Sequence, residues 1–550
     1  MLRIINGRVY DPANGIQGEI RDVYIDGGRI VSAAELLPGQ AQHLETVDAS
    51  GCAVMPGGVE IHSHVAGAKV NTGRIMCPED HYDHTRTATD ITRAGCGNCL
   101  PTTFMTGYLY SQLGYTTIFE AAVPPLEARH AHEEFVDIPL LDKGCFTVMG
   151  NNYLVMKTLS DPDQARRQDK LRELVSWLLR ASRAYAVKVV NPGGVESWKW
   201  HTGAVDLDTQ VAPFGVSPRQ IITGLATAAD ELRLPHPMHL HCNHLGEPGN
   251  IATTLDTMRA LEGHRAHFTH LQYHSYAKTK KGGFASGAAQ VAEYFNQHPE
   301  FTCDVGQVVF GSTLTMTSDA PMEFKLHQMQ HNKWANCDIE MECGSGLVPV
   351  HYRPGVLVNA IQWSVGLELL LLIKDPWRIF LTTDHPNAGP FTAYPLLIRL
   401  LMDLDYRRSW LEKLHPRAKR VTCLADLDRE YTLEEIAIIT RAGQARALGL
   451  HTKGHLGPGA DADVAVYPLK ENRASMFAKP RYVFKQGQLV IRDGKIIQSV
   501  SGRTLYVDPP GPRDLSEDLA EAFVQGYSVE LANYKVQDEY LPQPEVVPCG

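Results

Sequence analysis

The sequence predicts a (β/α)₈ barrel, with a small β-domain built from both ends of the chain. Through the middle of the chain, short apolar runs alternate with amphipathic helical segments, which is the pattern of a parallel sheet covered by helices. Both ends instead alternate apolar and polar residues around glycine turns. Six residues suited to metal binding lie in or just after the apolar runs, where barrel strands carry their chemistry.

Residues 1–55 and 455–505 form the predicted β-domain. Near the start, LRIINGRVY and DVYIDGGRIVSA are typical of strands, and an Asp-Gly-Gly turn interrupts the second. The same pattern returns at 462–469 and 482–500. We therefore expect one domain assembled from two segments that are distant in the sequence.

Residues 56–454 are assigned to the barrel. Ser217 and Pro218 are typical N-cap and first-turn residues of a helix that extends to about Leu232. Further helices are predicted near 253–261 and 287–297, each followed by an apolar strand. A helix over 161–183 collects leucine and valine residues on one face: Leu171, Leu174, Val175, Leu178 and Leu179.

Two segments do not fit the barrel pattern. The stretch near 308–375 is long for one connection and is predicted to hold an insertion. Residues 506–550 are rich in proline and acidic residues and are predicted to form an extended tail that wraps the body or meets a partner.

Composition narrows the functional classes. The net charge of -10 argues against a nucleic-acid partner. The 11 cysteines are odd in number and scattered, which favours a reducing cytoplasm over a disulfide framework. The apolar run at 365–373 is too short to cross a bilayer and contains Glu368, so we expect no membrane span.

The predicted metal centre begins with His62 and His64. On a strand, residues two apart face the same side, so both imidazoles can reach one site. Nitrogen and oxygen ligands without thiolate favour Zn²⁺ over Mn²⁺ or Fe²⁺, and the set is large enough for two divalent ions. Asp384 is also expected to be the catalytic base that takes and returns a proton. The other predicted ligands follow later strands: Lys188, His241, His270 and Asp384.

Lys188 requires a separate argument, because two cations would repel an ammonium group. A buried neutral amine can add CO₂ and become a carbamate, which is a carboxylate able to bridge two ions. We therefore expect Lys188 to be N6-carboxylated. The alternative is a lysine at a strand end that keeps its ammonium group in solvent.

Residues beside the ligands are candidates for substrate contacts. Asn243 and His244 directly follow His241, and His385 directly follows Asp384. His239 shares a strand face with His241, so one of the two is expected to bind metal while the other packs deeper.

Two further histidines, His267 and His274, are expected to face solvent rather than to serve a function.

The ligand segments resemble the amidohydrolase superfamily, especially its hydantoinase and dihydroorotase branch. The resemblance lies in GGVEIHSHV (57–65), LHCN (240–243), FTHLQ (268–272) and TTDHPNAG (382–389). It implies a barrel of that type, with the strand of Lys188 as the carboxylated-lysine strand. It also implies a metal-dependent hydrolase.

Other segments resemble a narrower group, the A subunits of formylmethanofuran dehydrogenase and of the bacterial formyltransferase/hydrolase complex. They are GRIMCPEDHYDH (73–84), the stretch at 101–134 and VNPGGVESWKW (190–200). This resemblance implies hydrolysis of the formamide bond of an N-formyl furfurylamine carrier, formylmethanofuran or formylmethylofuran, to formate and free amine. It implies the other subunits of the complex as partners. Because such carriers are anionic, we expect a basic entrance, with Arg74, Arg129 and Lys199 as candidates.

Three alternatives stay open. The chain resembles equally the formate-condensing A subunit of an archaeal tungsten or molybdenum formylmethanofuran dehydrogenase, although its modest charged content of 21% favours the bacterial setting. A stand-alone cyclic amidase of the hydantoinase or dihydropyrimidinase kind would use the same ligands. A catalytically inactive scaffold subunit is disfavoured, because all metal and base positions are filled.

Overall fold

The fold is described from a computed structural model that covers residues 1–35, 44–339 and 343–550. Parts of the predicted β-domain, at 36–43, and of the predicted insertion, at 340–342, lie outside the described residues.

The centre of the molecule is a sheet of eight parallel strands that follow one another in chain order. A backbone bridge between Ser63 and His385 brings the first strand to the segment after the last. The sheet thus curls into the predicted (β/α)₈ barrel, which confirms that prediction. Barrel strands one to eight are Gly58–Ser63, Tyr115–Val123, Asp142–Val148, Ala186–Val190, Met238–His241, Ala266–Phe268, Phe301–Asp304 and Ile379–Phe380.

The first six barrel strands are buried along their whole length. This burial on both faces accounts for the high share of apolar residues in these strands.

Helices cover the barrel largely as predicted. Helix Gln164–Ala181 buries its predicted leucine and valine face. Helix Pro218–Glu231 begins with a capping box, in which Ser217 Oγ accepts from Gln220 N and Gln220 Oε1 accepts from Ser217 N. The other α-helices are Ala68–Met76, Pro78–Tyr82, Thr103–Gln112, Ala128–Val136, Tyr153–Leu159, Gly194–Lys199, Ile251–Ala260, Ala288–Gln297, Ala320–Gln330, Leu357–Leu372, Tyr394–Met402, Leu404–Leu411, Leu433–Ala437, Gly443–Ala447, Arg473–Phe477 and Ser516–Gly526.

Strands from both ends of the chain meet in a seven-stranded sheet, here called the terminal sheet. Its junction is the antiparallel pairing of Cys52–Pro56 with Val464–Pro468. The other members are Arg8–Asp11, Ile16–Ile20, Tyr482–Lys485, Gln488–Arg492 and Lys495–Ile496. A separate four-stranded sheet contains Leu2–Ile5, Val23–Asp26, Arg29–Val31 and Glu45–Asp48. The domain limits stay a prediction.

Within the stretch at 308–375, strands Gly311–Thr317, Ala335–Ile339 and Cys343–Tyr352 form an antiparallel sheet, here called the inserted sheet. Helix Ala320–Gln330 packs on it. Helix Leu357–Leu372 packs instead on Ala288–Gln297, a helix of the barrel. A short hairpin, Tyr276–Lys278 with Phe284–Ser286, precedes that barrel helix.

The C-terminal stretch contributes strands as well as extended chain. Strand Thr504–Val507 pairs in parallel with barrel strand three, and Pro544–Val547 pairs in parallel with Thr504–Val507. Within the described residues, no helix is both long and apolar enough to cross a bilayer.

A buried cluster of charges joins the barrel to the terminal sheet. Asp142, at the start of barrel strand three, lies 2.5 Å from Lys453 Nζ, 2.8 Å from Lys485 Nζ and 2.8 Å from Arg503 Nη2. Lys485 belongs to the terminal sheet and also contacts Asp463 at 2.8 Å. Because these lysines and Asp142 are almost fully buried, each charge depends on its partners.

We predict that Asp142→Asn destabilises the protein by about 3–5 kcal/mol, because it leaves buried lysines without a counter-charge. The free energy of unfolding in urea measures this effect. Asp208→Asn is the matched control: Asp208 pairs with Arg219 but its side chain is 73% exposed, so its loss is expected to change the free energy of unfolding little. Equal effects of the two substitutions would contradict the prediction.

The same cluster predicts a loss of stability in acid. Burial alone would raise the pKa of both Asp142 and Asp461, but Lys453 and other cations have the opposite effect. They lower the pKa of Asp142 well below its ordinary value and the pKa of Asp461 to about 2. In the unfolded chain these carboxyls bind protons near pH ~4. Their stabilisation is therefore complete above about pH 4 and is lost as the pH falls towards 2. The unfolding free energy at pH 5 and pH 3 tests this, and Asp142→Asn should show a smaller decrease.

Candidate metal centre

The structure brings the six predicted ligands together at the carboxyl ends of barrel strands one, four, five, six and eight. None of the six side chains is more than 4% exposed. Five of them fall into two groups whose donor atoms lie within 4.8 Å of one another: His62, His64 and Asp384, and His241, His270 and the additional His274.

The first group converges on one carboxylate oxygen. His62 Nε2 lies 2.8 Å from Asp384 Oδ1, and His64 Nε2 lies 3.3 Å from the same atom. His62 Nε2 and Asp384 Oδ1 have no partner in hydrogen-bond geometry. Three donors that face one another without hydrogen bonds are suited to a shared cation.

The carboxylate of Glu120 orients the ring of His64. Its Oε1 lies 2.9 Å from His64 Nδ1, and its Oε2 accepts from the backbone N–H groups of Val65 and Ala66. Burial alone would raise the pKa of Glu120, but Lys69 and His64 lower it to about 2. The resulting carboxylate accepts the Nδ1 proton of His64 and leaves its Nε2 for the site.

Asp384 itself is a carboxylate at neutral pH. Burial would raise the pKa of Asp384, but His62 and His270 lower it well below its ordinary value. Its backbone has φ 47°, and that of His270 has φ 35°. Both lie in the left-handed region, which costs about 1–3 kcal/mol for such residues and is commonly found at functional sites.

The second group holds unpaired imidazoles. Burial lowers the pKa of His270 and His274 well below its ordinary value, so both rings are neutral, the form that binds metal. His270 Nδ1 and both nitrogens of His274 have no hydrogen-bond partner. His241 Nε2 lies 3.3 Å from Asp319 Oδ2. Buried, unpaired ring nitrogens are costly unless a further ligand engages them.

Lys188 is buried and its Nζ has no hydrogen-bond partner. Burial lowers the pKa of Lys188 to about 7, so a large share of the amine is neutral at physiological pH. This excludes the alternative of a solvated strand-end ammonium group. The residues present therefore fit a pair of divalent ions.

The expectation that His267 and His274 face solvent is wrong, because both are fully buried. His267 lies in barrel strand six with Nε2 3.1 Å from Asp304 Oδ2. A short 3₁₀ turn, Leu271–His274, folds His274 back beside the rings of His241 and His270. The position of His267 between Ala266 and Phe268 was a signal of burial.

The three predicted substrate contacts lie around the centre. Asn243 Nδ2 donates to Asn191 Oδ1 and Pro192 O, while its Oδ1 has no partner. His244 lies between Glu247 and Asp206, and the Glu247 contact raises its pKa. His385 is buried edge-on against Phe391, and burial lowers its pKa to about 3.

None of these three residues lines the large cavity over the centre, so their contact with substrate stays a prediction.

That cavity has a volume of about 870 Å³ and opens onto His241, His270 and Asp384. The inserted sheet forms one wall, with Thr315, Thr317 and Tyr352. Apolar and aromatic side chains dominate the remaining lining: Leu245, Tyr273, Phe284, Met322, Leu326, Val350, Val356 and Val358.

The basic residues of the cavity are not those expected. Lys325 and Arg353 line it, whereas Arg74, Arg129 and Lys199 do not. Arg74 is largely buried in a pair with Glu134, and Arg129 pairs with Glu133 on the outer surface. The sequence could not place the inserted sheet over the site, and that sheet determines which cations reach the opening.

Sequence reasoning also missed the carboxylates and the hydroxyl that support the ligands. Asp304 accepts from His270 N at 3.0 Å, and Thr269 Oγ1 contacts His62 Nδ1. Asp319, the N-cap of helix Ala320–Gln330, approaches His241 from the insertion. Glu120 and Asp304 are fully buried carboxylates in largely apolar strands, and that unusual position was the available signal.

Comparisons with known proteins agree with this geometry. A model of the Amidohydrolase family matches residues 45–497. Protein FwdA of Methanocaldococcus jannaschii is 47% identical, over 99% of this chain and 98% of that protein. The A subunit of the formyltransferase/hydrolase complex Fhc of Methylorubrum extorquens is 38% identical, over 99% and 98%.

Solved structures give the same picture. The crystal structure of the formyltransferase/hydrolase complex FhcABCD from Methylorubrum extorquens, in complex with methylofuran, matches with a TM-score of 0.93 and 37% identity, covering 100% of both chains. D-aminoacylase matches with a TM-score of 0.51 and 13% identity over 92% of this chain and 99% of that chain, and therefore shares the fold alone.

We predict that the purified protein binds Zn²⁺ and that His64→Ala loses most of it, because the first donor group would keep only two members. Zinc content after gel filtration, by atomic emission, measures this. His451→Ala is the control, since His451 is exposed and lies away from the centre. Full zinc content in the His64→Ala variant would contradict the ligand assignment.

Proposed function

Because the chain belongs to the amidohydrolase family, we propose that it hydrolyses the formamide bond of an N-formyl furfurylamine carrier, formylmethanofuran or formylmethylofuran. The products are formate and the free amine. The observation that carries this proposal is the full-length match to the Fhc protein, whose crystallised complex holds methylofuran. The donor set supports the reaction class, because two groups of converging donor atoms lie at the carboxyl ends of the strands: His62, His64 and Asp384, and His241, His270 and His274.

The proposed centre holds two zinc ions. His62, His64 and Asp384 would hold one, His241 and His270 the other, and N6-carboxylated Lys188 would bridge them. When bound, such a pair supplies a water of lowered pKa and a polarised formyl oxygen. His274 is a further donor at the second position, beside His241 and His270.

Asp384 carries the proton. As a buried carboxylate it can accept a proton from the attacking water and deliver that proton to the carrier nitrogen. The second transfer matters because an amine is a poor leaving group until its nitrogen is protonated. Water adds to the formyl carbon, the C–N bond breaks, and formic acid and amine leave as the balanced products.

The large cavity suits the carrier. Tyr273, Phe284 and Tyr352 offer aromatic surface for a furan ring near the centre. Arg353 lies in the same cavity and would attract the anionic groups of the carrier, while Lys325 pairs there with Glu247 at 2.6 Å. We propose that the carrier enters along the inserted sheet, and that the chain works in a complex with other subunits.

A second setting has specific support. Identity to Protein FwdA is 47%, against 38% to the Fhc protein. This difference favours the archaeal alternative, in which the same centre condenses formate with the carrier amine. The residues would keep their roles, because the forward and reverse reactions share a transition state.

Proteins that co-purify with a tagged chain distinguish the two settings: a formyltransferase supports hydrolysis, and a tungsten or molybdenum enzyme supports condensation. Assays with hydantoin and with N-formyl furfurylamine separate both from a cyclic amidase. The absence of activity on either compound would support the inactive scaffold.

We predict that Asp384→Asn lowers formate release from the formyl carrier by ~10²-fold or more, because the amide cannot take the proton. Formate released by the purified complex is the measurement, with zinc content determined in parallel. His64→Ala should release no formate. Unchanged release in the His64→Ala complex would place hydrolysis in another protein of the complex.

A further inference from the structure

His62 and His64 are held in different ways. His64 Nδ1 contacts the Glu120 carboxylate, whereas His62 Nδ1 lies 2.8 Å from another imidazole, His239 Nε2. His239 Nδ1 in turn lies 3.0 Å from His236 Nε2, and His236 Nδ1 lies 2.7 Å from Ala447 O. We call His236, His239 and His62 the histidine chain. Its members are at most 1% exposed.

The proton positions in the histidine chain follow from the contact that His236 makes at one end of it. A carbonyl oxygen can only accept, so His236 Nδ1 must carry the proton that it donates to Ala447. Ala447 is the last residue of helix Gly443–Ala447, where carbonyl groups lack a partner within the helix. His236 and His239 are fully buried and their ring nitrogens face one another, His62 and a neutral carbonyl, so each ring is neutral and carries one proton.

One proton per ring then determines the chain step by step. His236 Nε2 is a lone pair and accepts from His239 Nδ1. His239 Nε2 is therefore a lone pair and accepts from His62 Nδ1. His62 must carry its proton on Nδ1, so its Nε2 faces Asp384 as a lone pair. The opposite order would place a lone pair of His236 against the lone pairs of Ala447 O at 2.7 Å.

Two neighbouring groups can accept from His62 Nδ1, although Asp304 Oδ2 also lies 3.8 Å from His239 Nε2. Thr269 Oγ1 contacts His62 Nδ1, and Asp304 Oδ2 lies 3.5 Å from the same nitrogen. Both can accept a proton from His62. His267 also faces Asp304, at 3.1 Å, so this carboxylate is engaged by a second ring.

We propose that His236 and His239 are positioning residues that set the tautomer of His62 and thereby present its Nε2 to the metal. The proposal rests on the proposed zinc centre. The carbonyl oxygen of Ala447 sets the order of protons in the histidine chain, although Ala447 is far from His62 in the sequence. His241, two residues after His239 on the same strand face, reaches the centre directly.

Neutron diffraction from crystals of the zinc-loaded protein, exchanged into D₂O, tests the proton positions. Deuterium is expected on Nδ1 of His236, His239 and His62. Deuterium on Nε2 of any of the three rings would overturn the proposal.

Zinc affinity, measured by competition with a chelator and without carrier, tests the consequence. His236→Phe keeps a ring of similar size but removes both nitrogens, and should weaken zinc binding ~10–100-fold. His236→Gln can offer a carbonyl oxygen to His239 Nδ1 and should recover most of the affinity. His132→Phe is the matched control, because His132 is equally buried and contacts a carbonyl, Ser182 O at 3.0 Å, outside the centre.

The outcomes separate the two proposals. Wild-type protein that binds no zinc would overturn the proposed centre and this inference together. Tight wild-type binding, with His236→Phe as tight as His132→Phe, would overturn the inference alone. If His236→Phe does not fold, a loss of affinity in His236→Leu with recovery in His236→Gln supports it, and equal affinities of these two overturn it.

Discussion

The backbone hydrogen bond from His64 N to His385 O, at 2.7 Å, closes the barrel, and the centre depends on it. The first and last barrel strands are more than three hundred residues apart in the chain. Only closure brings His62 and His64 against Asp384, so that two imidazole nitrogens lie 2.8 and 3.3 Å from one carboxylate oxygen. A strand register shifted by one residue would turn His62 and His64 away from the interior.

The two ends of the barrel differ in how their buried polar groups are paired. At the amino ends of the strands, a cluster of three cations and three carboxylates connects the barrel to the terminal sheet, and its charges balance: Lys453, Lys485 and Arg503 with Asp142, Asp461 and Asp463. At the carboxyl ends, buried imidazoles lack such partners and are suited to bind ions. Stability is therefore concentrated away from the site, which can keep unpaired nitrogens and strained backbone at His270 and Asp384.

The inserted sheet forms one wall of the cavity over the candidate metal centre. The ligand groups alone support metal-dependent hydrolysis of many amides. Thr315, Thr317 and Tyr352 enclose a cavity of about 870 Å³ over that centre, and its lining also holds Arg353 and the ion pair of Lys325 with Glu247. Substrate choice within this family is thus expected to depend on the insertion more than on the ligands.

The sequence by itself determined the barrel, the pairing of both chain ends and the six candidate ligands, because apolar period and strand-end position are local properties. It could not determine that His274 joins His241 and His270, that Glu120 orients His64, or that Lys325 and Arg353 line the cavity. Those facts depend on which distant segments meet when the barrel closes. The proton order that we propose between Ala447 and His62 likewise rests on tertiary contacts, since hydrogen bonds between distant rings have no signature in sequence spacing.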